Sequence, residues 1–216
     1  MKDEIEPIRG LPEALPPGER ILWQGSPEWR ALAVRALHIR KVAAYFGLLA
    51  AVSVAASVGI DGKPLPAALG STAGLALPAL AALGLLALYA WLAARATIYT
   101  ITDRRVVMRF GVALSLTVNI PFRIVGSAGL KLDRDGTGDI PLSLTGSGKI
   151  AYLALWPHAR PWRVTRPEPM LRAVPDATRV GRILAGALAA AAGRMPAVTV
   201  QPEAAPEPAG PVAAAA

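Results

Sequence analysis

Two stretches without a charged side chain dominate the chain, at residues 42–60 and 64–94. As a helix, residues 42–60 reach about 28 Å at ~1.5 Å per residue, close to the hydrocarbon thickness of a bilayer. A buried helix of a soluble protein rarely runs that far without a polar face. The second stretch is longer than one span needs. A helix is predicted over 74–94, with 64–72 as an interfacial lead-in; Pro78 lies near its start, where it can kink it, and Tyr89 and Trp91 mark headgroup level at its end. Asp61-Gly62-Lys63-Pro64 is the turn between the two. Before them, 28–41 reads as a helix mixing Leu32, Leu37 and Ile39 with Arg30, Arg35, His38, Arg40 and Lys41.

After residue 96 the pattern changes to short runs rich in Val, Ile, Leu, Thr and Tyr, separated by turn signals. Strands are predicted at 97–102, 106–110, 114–120, 124–132, 140–144, 151–156 and 162–165. Such spacing suggests an antiparallel sheet folded into a barrel or sandwich. Over 168–194 helical periodicity returns: Val180, Ile183, Leu184, Ala187 and Leu188 share one face. The uncharged part of that helix, 183–193, is too short to span a membrane, so it either docks on the sheet or lies on the membrane. The Gly18–Pro27 run GERILWQGSP reads as a short extended element closed by a turn, and 196–216, built of Pro, Ala and Glu, as a disordered tail. The predicted organisation is an N-terminal cytoplasmic segment at 1–28, a juxtamembrane helix and hairpin at 29–95, a β domain with its closing helix at 97–195, and the tail. The fold class is α+β, a two-helix transmembrane hairpin carrying an antiparallel β domain.

Composition supports lipid as the solvent of the hairpin. Hydrophobic residues make up 53% of the chain and charged residues 18%, too apolar for a soluble domain of 216 residues. The net charge of +8 is explained by position rather than by nucleic acid. Arg30, Arg35, Arg40 and Lys41 precede the first span, Arg95, Arg104, Arg105 and Arg109 follow the second, and the connecting loop carries one acid and one base. The positive-inside rule then puts both termini in the cytoplasm and the loop in the periplasm. The expected location is a bacterial inner or intracytoplasmic membrane. The start MKDEIEPIRG is polar and lacks the apolar core of a signal peptide. The chain has no cysteine, which excludes disulfides and thiolate metal sites.

Candidate contact residues fall in three groups. Ala43, Gly47, Ala51, Ala55 and Gly59 recur every fourth position, and Gly70 and Gly74 form a GxxxG pair; such ridges let helices pair closely, within the hairpin or with a partner, although an alanine-rich composition gives the same pattern. Arg104 and Arg105 sit on the first turn of the β domain, expected near the membrane, as lipid contacts or as ordinary positive-inside residues. Trp156 and Trp162 bracket a Pro-rich turn; buried, they finish the domain core, and exposed, they form a contact patch. Burial is the expected outcome. The loop from Asp133 to Asp139 resembles a calcium loop, but its twelfth position is Leu144, not a carboxylate, so a hairpin turn is expected. His38 and His158 are expected at the surface or interface, and neither has a zinc-motif partner. No nucleophile elbow, P-loop, dinucleotide fingerprint or carboxylate within a span is present, so neither a catalytic site nor a cofactor is expected.

Two stretches carry a family resemblance. GERILWQGSP before the spans, and TIYTITDRRVVMRFG after them, resemble the bacterial membrane-anchored pleckstrin-homology-like (PH-like) domain class. Asn119-Ile120-Pro121 and Arg123-Ile124 match that class's next strand junction, and 169–185 its closing helix. Within the class, 21–43 and 169–188 look most like the photosynthetic-complex assembly proteins of purple bacteria. The resemblance implies a PH-like β domain and a non-enzymatic role in assembling the reaction centre and its core light-harvesting antenna, whose subunits would be the partners. Contact with anionic lipid and with a second copy of the chain stays open, as does a PH-like lipid- or protein-binding module unrelated to photosynthesis.

Overall fold

A computed structural model of the chain describes residues 10, 11, 13, 15–145 and 151–194. The first nine residues, most of the turn predicted at 145–148 and the tail predicted at 196–216 lie outside the described residues. Strand β1 (Ile21–Gly25) leads into helices α1 (Trp29–Arg35), α2 (Ile39–Gly59), α3 (Leu65–Thr72) and α4 (Ala76–Ala96). Strands β2 (Ile98–Thr102), β3 (Arg105–Phe110), β4 (Leu116–Pro121), β5 (Val125–Ala128), β6 (Lys131–Leu132) and β7 (Gly138–Leu144) follow. A one-turn helix α5 (Tyr152–Leu155), strand β8 (Met170–Val174) and helix α6 (Ala177–Arg194) complete the order.

Two antiparallel sheets form the β domain. The first has the order β1-β2-β3-β4. In the second, β5 and β6 follow one another along one edge of β7, and β8 pairs with β7 as well. A single 3-10 turn, Phe122–Ile124, carries the chain from one sheet to the other. Among the described residues the sheets do not close on each other by hydrogen bonds, so of the two predicted architectures the sandwich is realised and the barrel is not. The core between them holds Tyr99, Ile101, Met108, Ile120, Ile140, Leu142 and Leu171, and Val180, Leu184 and Ala187 of α6 close it. The predicted helical face is thus the docking face of α6, on the sheet rather than elsewhere. Gly138 permits that docking: a Cβ there would lie 2.6 Å from the Lys131 carbonyl oxygen and 2.7 Å from Ala177 Cβ.

β1 precedes the hairpin yet pairs with β2, which follows it, with Gly25 opposite Tyr99. Ile21–Gly25, inside the predicted 1–28 segment, is therefore an edge strand of the β domain, and the hairpin is an insertion between two neighbouring strands. Its entry and exit meet at one place. There α1 is capped by Glu28, whose side chain accepts from Ala31 N at 2.6 Å, and Glu28 N donates to the Ala173 carbonyl at 2.8 Å. Ala31, Leu32, Ala93, Ala94 and Ala173 pack α1 against the foot of α4 and β8. Small side chains allow that close approach.

Five elements differ from expectation. The helix predicted over 28–41 breaks at an elbow: His38 takes a left-handed conformation (φ 54°) and α2 starts at Ile39. Residues 151–156 hold α5 instead of a strand, because a short Ala- and Leu-rich apolar run reads alike in both periods. The strand predicted at 162–165 is irregular and exposed, and the last strand is β8, inside the segment expected to be helical. All five β8 residues are buried, so no alternation marks it as a strand. The strand predicted over 124–132 is present as β5 and β6, interrupted around Gly129. Pro78 lies in the first turn of α4, where a missing N–H costs nothing, after a 3-10 turn at Ala73–Leu75.

Candidate functional site

The hairpin presents apolar side chains outward. Ile39–Gly59 and Leu65–Ala96 are long and apolar enough to cross a membrane, and 0% and 6% of their most apolar windows are buried by the rest of the protein. Tyr45, Leu48, Ile60, Leu77, Leu80 and Leu85 are each at least 60% exposed. Within the hairpin, α2 and α3 bury Ser57, Ala68 and Thr72; Thr72 Oγ1 donates to the Ala68 carbonyl at 2.9 Å and lies 3.4 Å from Ser53 Oγ. This polar seam was not singled out in the sequence, although Ser53, Ser57 and Thr72 are conspicuous in an uncharged run.

The small-residue ridge is not that seam. Ala43, Gly47, Ala51, Ala55 and Gly59 are all exposed, and so are Gly70 and Gly74. Added Cβ atoms at the four glycines would meet nothing within 4 Å. Ala51 and Ala55 border an open apolar groove beside Leu69 and Thr72.

The two arginines of the β2–β3 turn have different fates. Arg105 Nε and Nη2 donate to Glu19 Oε1 at 2.8 Å and Oε2 at 3.0 Å, and Glu19 is buried. That bidentate pair commits Arg105 to the interior of the fold. Arg104 is exposed and reaches the Gly18 carbonyl at 3.5 Å. The turn lies beyond the five residues of β2, about 17 Å of strand from the end of α4, so it is not at the foot of the hairpin as expected.

Trp156 and Trp162 correct the expectation of burial. Trp162 is 95% exposed and Trp156 44% exposed, because α5 and the irregular segment after it lie outside the sheets. Trp156 stacks on Tyr89 of α4 with ring centroids 5.9 Å apart. Trp29 and Trp91 hold the guanidinium groups of Arg30 and Arg95 over their rings at 5.4 and 4.9 Å. Aromatic and basic side chains thus gather where the hairpin meets the β domain, the pairing that suits a membrane–water interface.

His158 also departs from expectation: it is buried, 1% exposed. Its Nδ1 lies 2.7 Å from Tyr99 Oη and its Nε2 3.2 Å from Thr97 Oγ1. The surrounding bonds assign the protons. Tyr99 Oη already accepts from Arg172 N at 3.1 Å, so its own hydrogen goes to Nδ1. Nε2–H then donates to Thr97, which donates to the Ala93 carbonyl at 2.7 Å. Burial, with Arg172 adding to it, pushes the imidazole down to about 3. Burial likewise pushes the Tyr99 phenol up. The network is neutral at the imidazole and ties the foot of α4 to β2 and β8. Its position in a Pro-rich turn gave no sequence signal.

The Asp133–Asp139 loop is a hairpin turn, as expected. Arg35 at the end of α1 donates to the Asp133 carboxylate and to Thr137 Oγ1. Asp135 Oδ1 accepts from Thr137 N at 3.0 Å and Thr137 Oγ1 at 2.6 Å, bonds that hold its carboxyl below the ordinary range. Asp139 is buried and accepts from Ala173 N at 2.8 Å.

Residues 39–188 match the family described as "Bacterial PH domain", from the first residue of α2 into α6. The chain belongs to that family. The match takes in the hairpin as well as the β domain, as the resemblance seen in the sequence implied. A protein of Rhodobacter capsulatus, described as an uncharacterized 23.7 kDa protein in the puhA 5′ region, is 42% identical over 186 residues, which cover 85% of this chain and 86% of that protein. No solved structure matches the chain.

Proposed function

We propose that this chain is a non-enzymatic assembly factor for the photosynthetic reaction centre and its core light-harvesting antenna. Its similarity to the Rhodobacter capsulatus protein encoded beside puhA carries the reading, together with the resemblance of 21–43 and 169–188 to PuhB, the photosynthetic-complex assembly protein of purple bacteria. In this reading the hairpin crosses the bacterial inner or intracytoplasmic membrane twice. Both termini and the β domain stay on the cytoplasmic side. The exposed apolar surface of α2 and α4 supports it, since no protein core covers that surface and water would solvate it poorly. The insertion of the hairpin between neighbouring strands also supports it, because a chain that leaves from β1 and returns to β2 has both flanks on one side.

The binding surfaces would be the outward ridge from Ala43 to Gly59, the glycines Gly70 and Gly74, and the exposed Trp156 and Trp162. Close-packed helix pairing through the ridge would hold a client's span or a second copy of the chain. The test is deletion of the gene in a photosynthetic host. Reaction-centre and antenna absorption should fall while other membrane proteins persist, and affinity purification from gently solubilised pigmented membranes should recover reaction-centre or antenna subunits. Unchanged absorption spectra would overturn the reading.

A further inference from the structure

We infer that the cleft between the α1–α2 elbow and strands β7 and β8 binds the phosphate of an anionic phospholipid; this rests on the membrane reading above. Two cavities of about 300 and 580 Å³ adjoin there and share Arg35, His38, Pro161, Trp162 and Arg172, so they form one cleft. Lys41, Lys131 and Arg160 add to its positive lining, against the single lining carboxylate of Asp139. Arg35 is spent on Asp133 and Arg160 on Glu168, the latter at 2.7 Å. Lys41 and Lys131 have no ion pair among the described residues. The cleft therefore carries positive charge that the protein itself leaves unmatched.

The second observation is Arg172. It is 7% exposed, and among the described residues its buried Nε has no acceptor. Its Nη1 donates to the Pro157 carbonyl at 2.9 Å, and the nearby Asp139 Oδ1 is taken by Ala173 N. A buried guanidinium N–H without a partner is rare and costly, and Arg172 lines both cavities. A phosphate in the cleft would set its charge beside this guanidinium, whose Nε itself is closed to solvent.

Position selects a lipid as the source of that phosphate. His38 and Lys41 flank the first turn of α2, where the uncharged run begins, so the cleft opens at headgroup depth once α2 enters a bilayer. On the rim stand Trp162, 95% exposed, and Val164, 64% exposed, apolar groups fit to rest among lipid chains and headgroups. A soluble phosphate would gain nothing from them.

The test uses the full chain in detergent, titrated with dihexanoyl phosphatidylglycerol, dihexanoyl phosphatidylcholine and free sn-glycerol 1-phosphate, with binding read by native mass spectrometry. Phosphatidylglycerol should bind one per chain and more tightly than the other two. Lys41→Gln with Lys131→Gln should weaken it about 25-fold, about fivefold for each charge. Arg104→Gln with Arg123→Gln removes two charges beside α6 instead and should change it less than about twofold. Equal weakening by both pairs, or none by the lysine pair, would overturn the cleft. Glycerol phosphate binding as tightly as the lipid would overturn the lipid source. Failure of the membrane reading shows separately, as a protein that stays monodisperse without detergent.

Discussion

Acid should loosen the joint between hairpin and β domain through one residue, His158. In the folded chain its imidazole is held neutral, down to about 3, while in the unfolded chain it titrates near 6.5. The unfolded state therefore gains a proton, as pH falls below 6.5, that the folded state refuses. The stabilisation from neutral His158 is complete above 6.5 and is lost progressively between 6.5 and about 3. The loss approaches about 1.4 kcal/mol per pH unit, so moving from pH 7.5 to 5 should cost about 2 kcal/mol. For a domain of this size that lowers Tm by roughly 10 °C. The assay is thermal unfolding of the detergent-solubilised chain followed by tryptophan fluorescence, in which Trp23 reports on the β-domain core. His158→Gln should unfold at lower temperature throughout, having lost the bonds to Tyr99 and Thr97, but its Tm should be nearly flat over the same pH range. An equal slope in both proteins would refute the assignment of a neutral, proton-refusing imidazole.

Other expectations follow from single contacts. Arg105→Gln strips the bidentate partner from buried Glu19 and should destabilise the β domain by about 3 kcal/mol, measured by chemical unfolding. Gly138→Ala drives a Cβ against the Lys131 carbonyl and Ala177, and should cost about 1–3 kcal/mol in the same measurement. Leu184→Ala empties a fully buried site under α6 and should cost about 2–5 kcal/mol. Leu48→Arg, on the exposed face of α2, should leave the β domain intact but penalise membrane insertion by about 3 kcal/mol, read as a larger fraction of chain extracted by carbonate.

The hairpin and the first strands were legible because their signals are local. An uncharged run announces α2 and α4 whatever surrounds it, and the Thr97–Phe110 segment, rich in Val, Ile, Thr and Tyr and broken by Asp103-Arg104, announces β2 and β3. The face of α6 was legible for the same reason, since Val180, Leu184 and Ala187 recur at helical spacing. What escaped depends on partners far away in sequence. β8 is buried throughout, so it has no alternation to read, and only β7 makes it a strand. Arg105 looked free until Glu19, 86 residues earlier, claimed it. His158 looked like a turn residue until Tyr99 and Thr97 enclosed it. Trp162 shows the reverse: hydrophobicity argued for burial, and only the irregular path after α5 leaves it in the open. The elbow at His38, which shapes the cleft, depends on a left-handed residue that no glycine or proline marks.

The central claim is that the hairpin crosses a bilayer and returns to the side it left. Because the chain has no cysteine, single substitutions give an unobstructed readout. Asp61→Cys in the connecting turn and Ser127→Cys on β5 are both exposed positions. In intact spheroplasts a membrane-impermeant maleimide should label the D61C protein and not the S127C protein, and in inverted vesicles the pattern should reverse. Labelling of both from the same side would contradict the account.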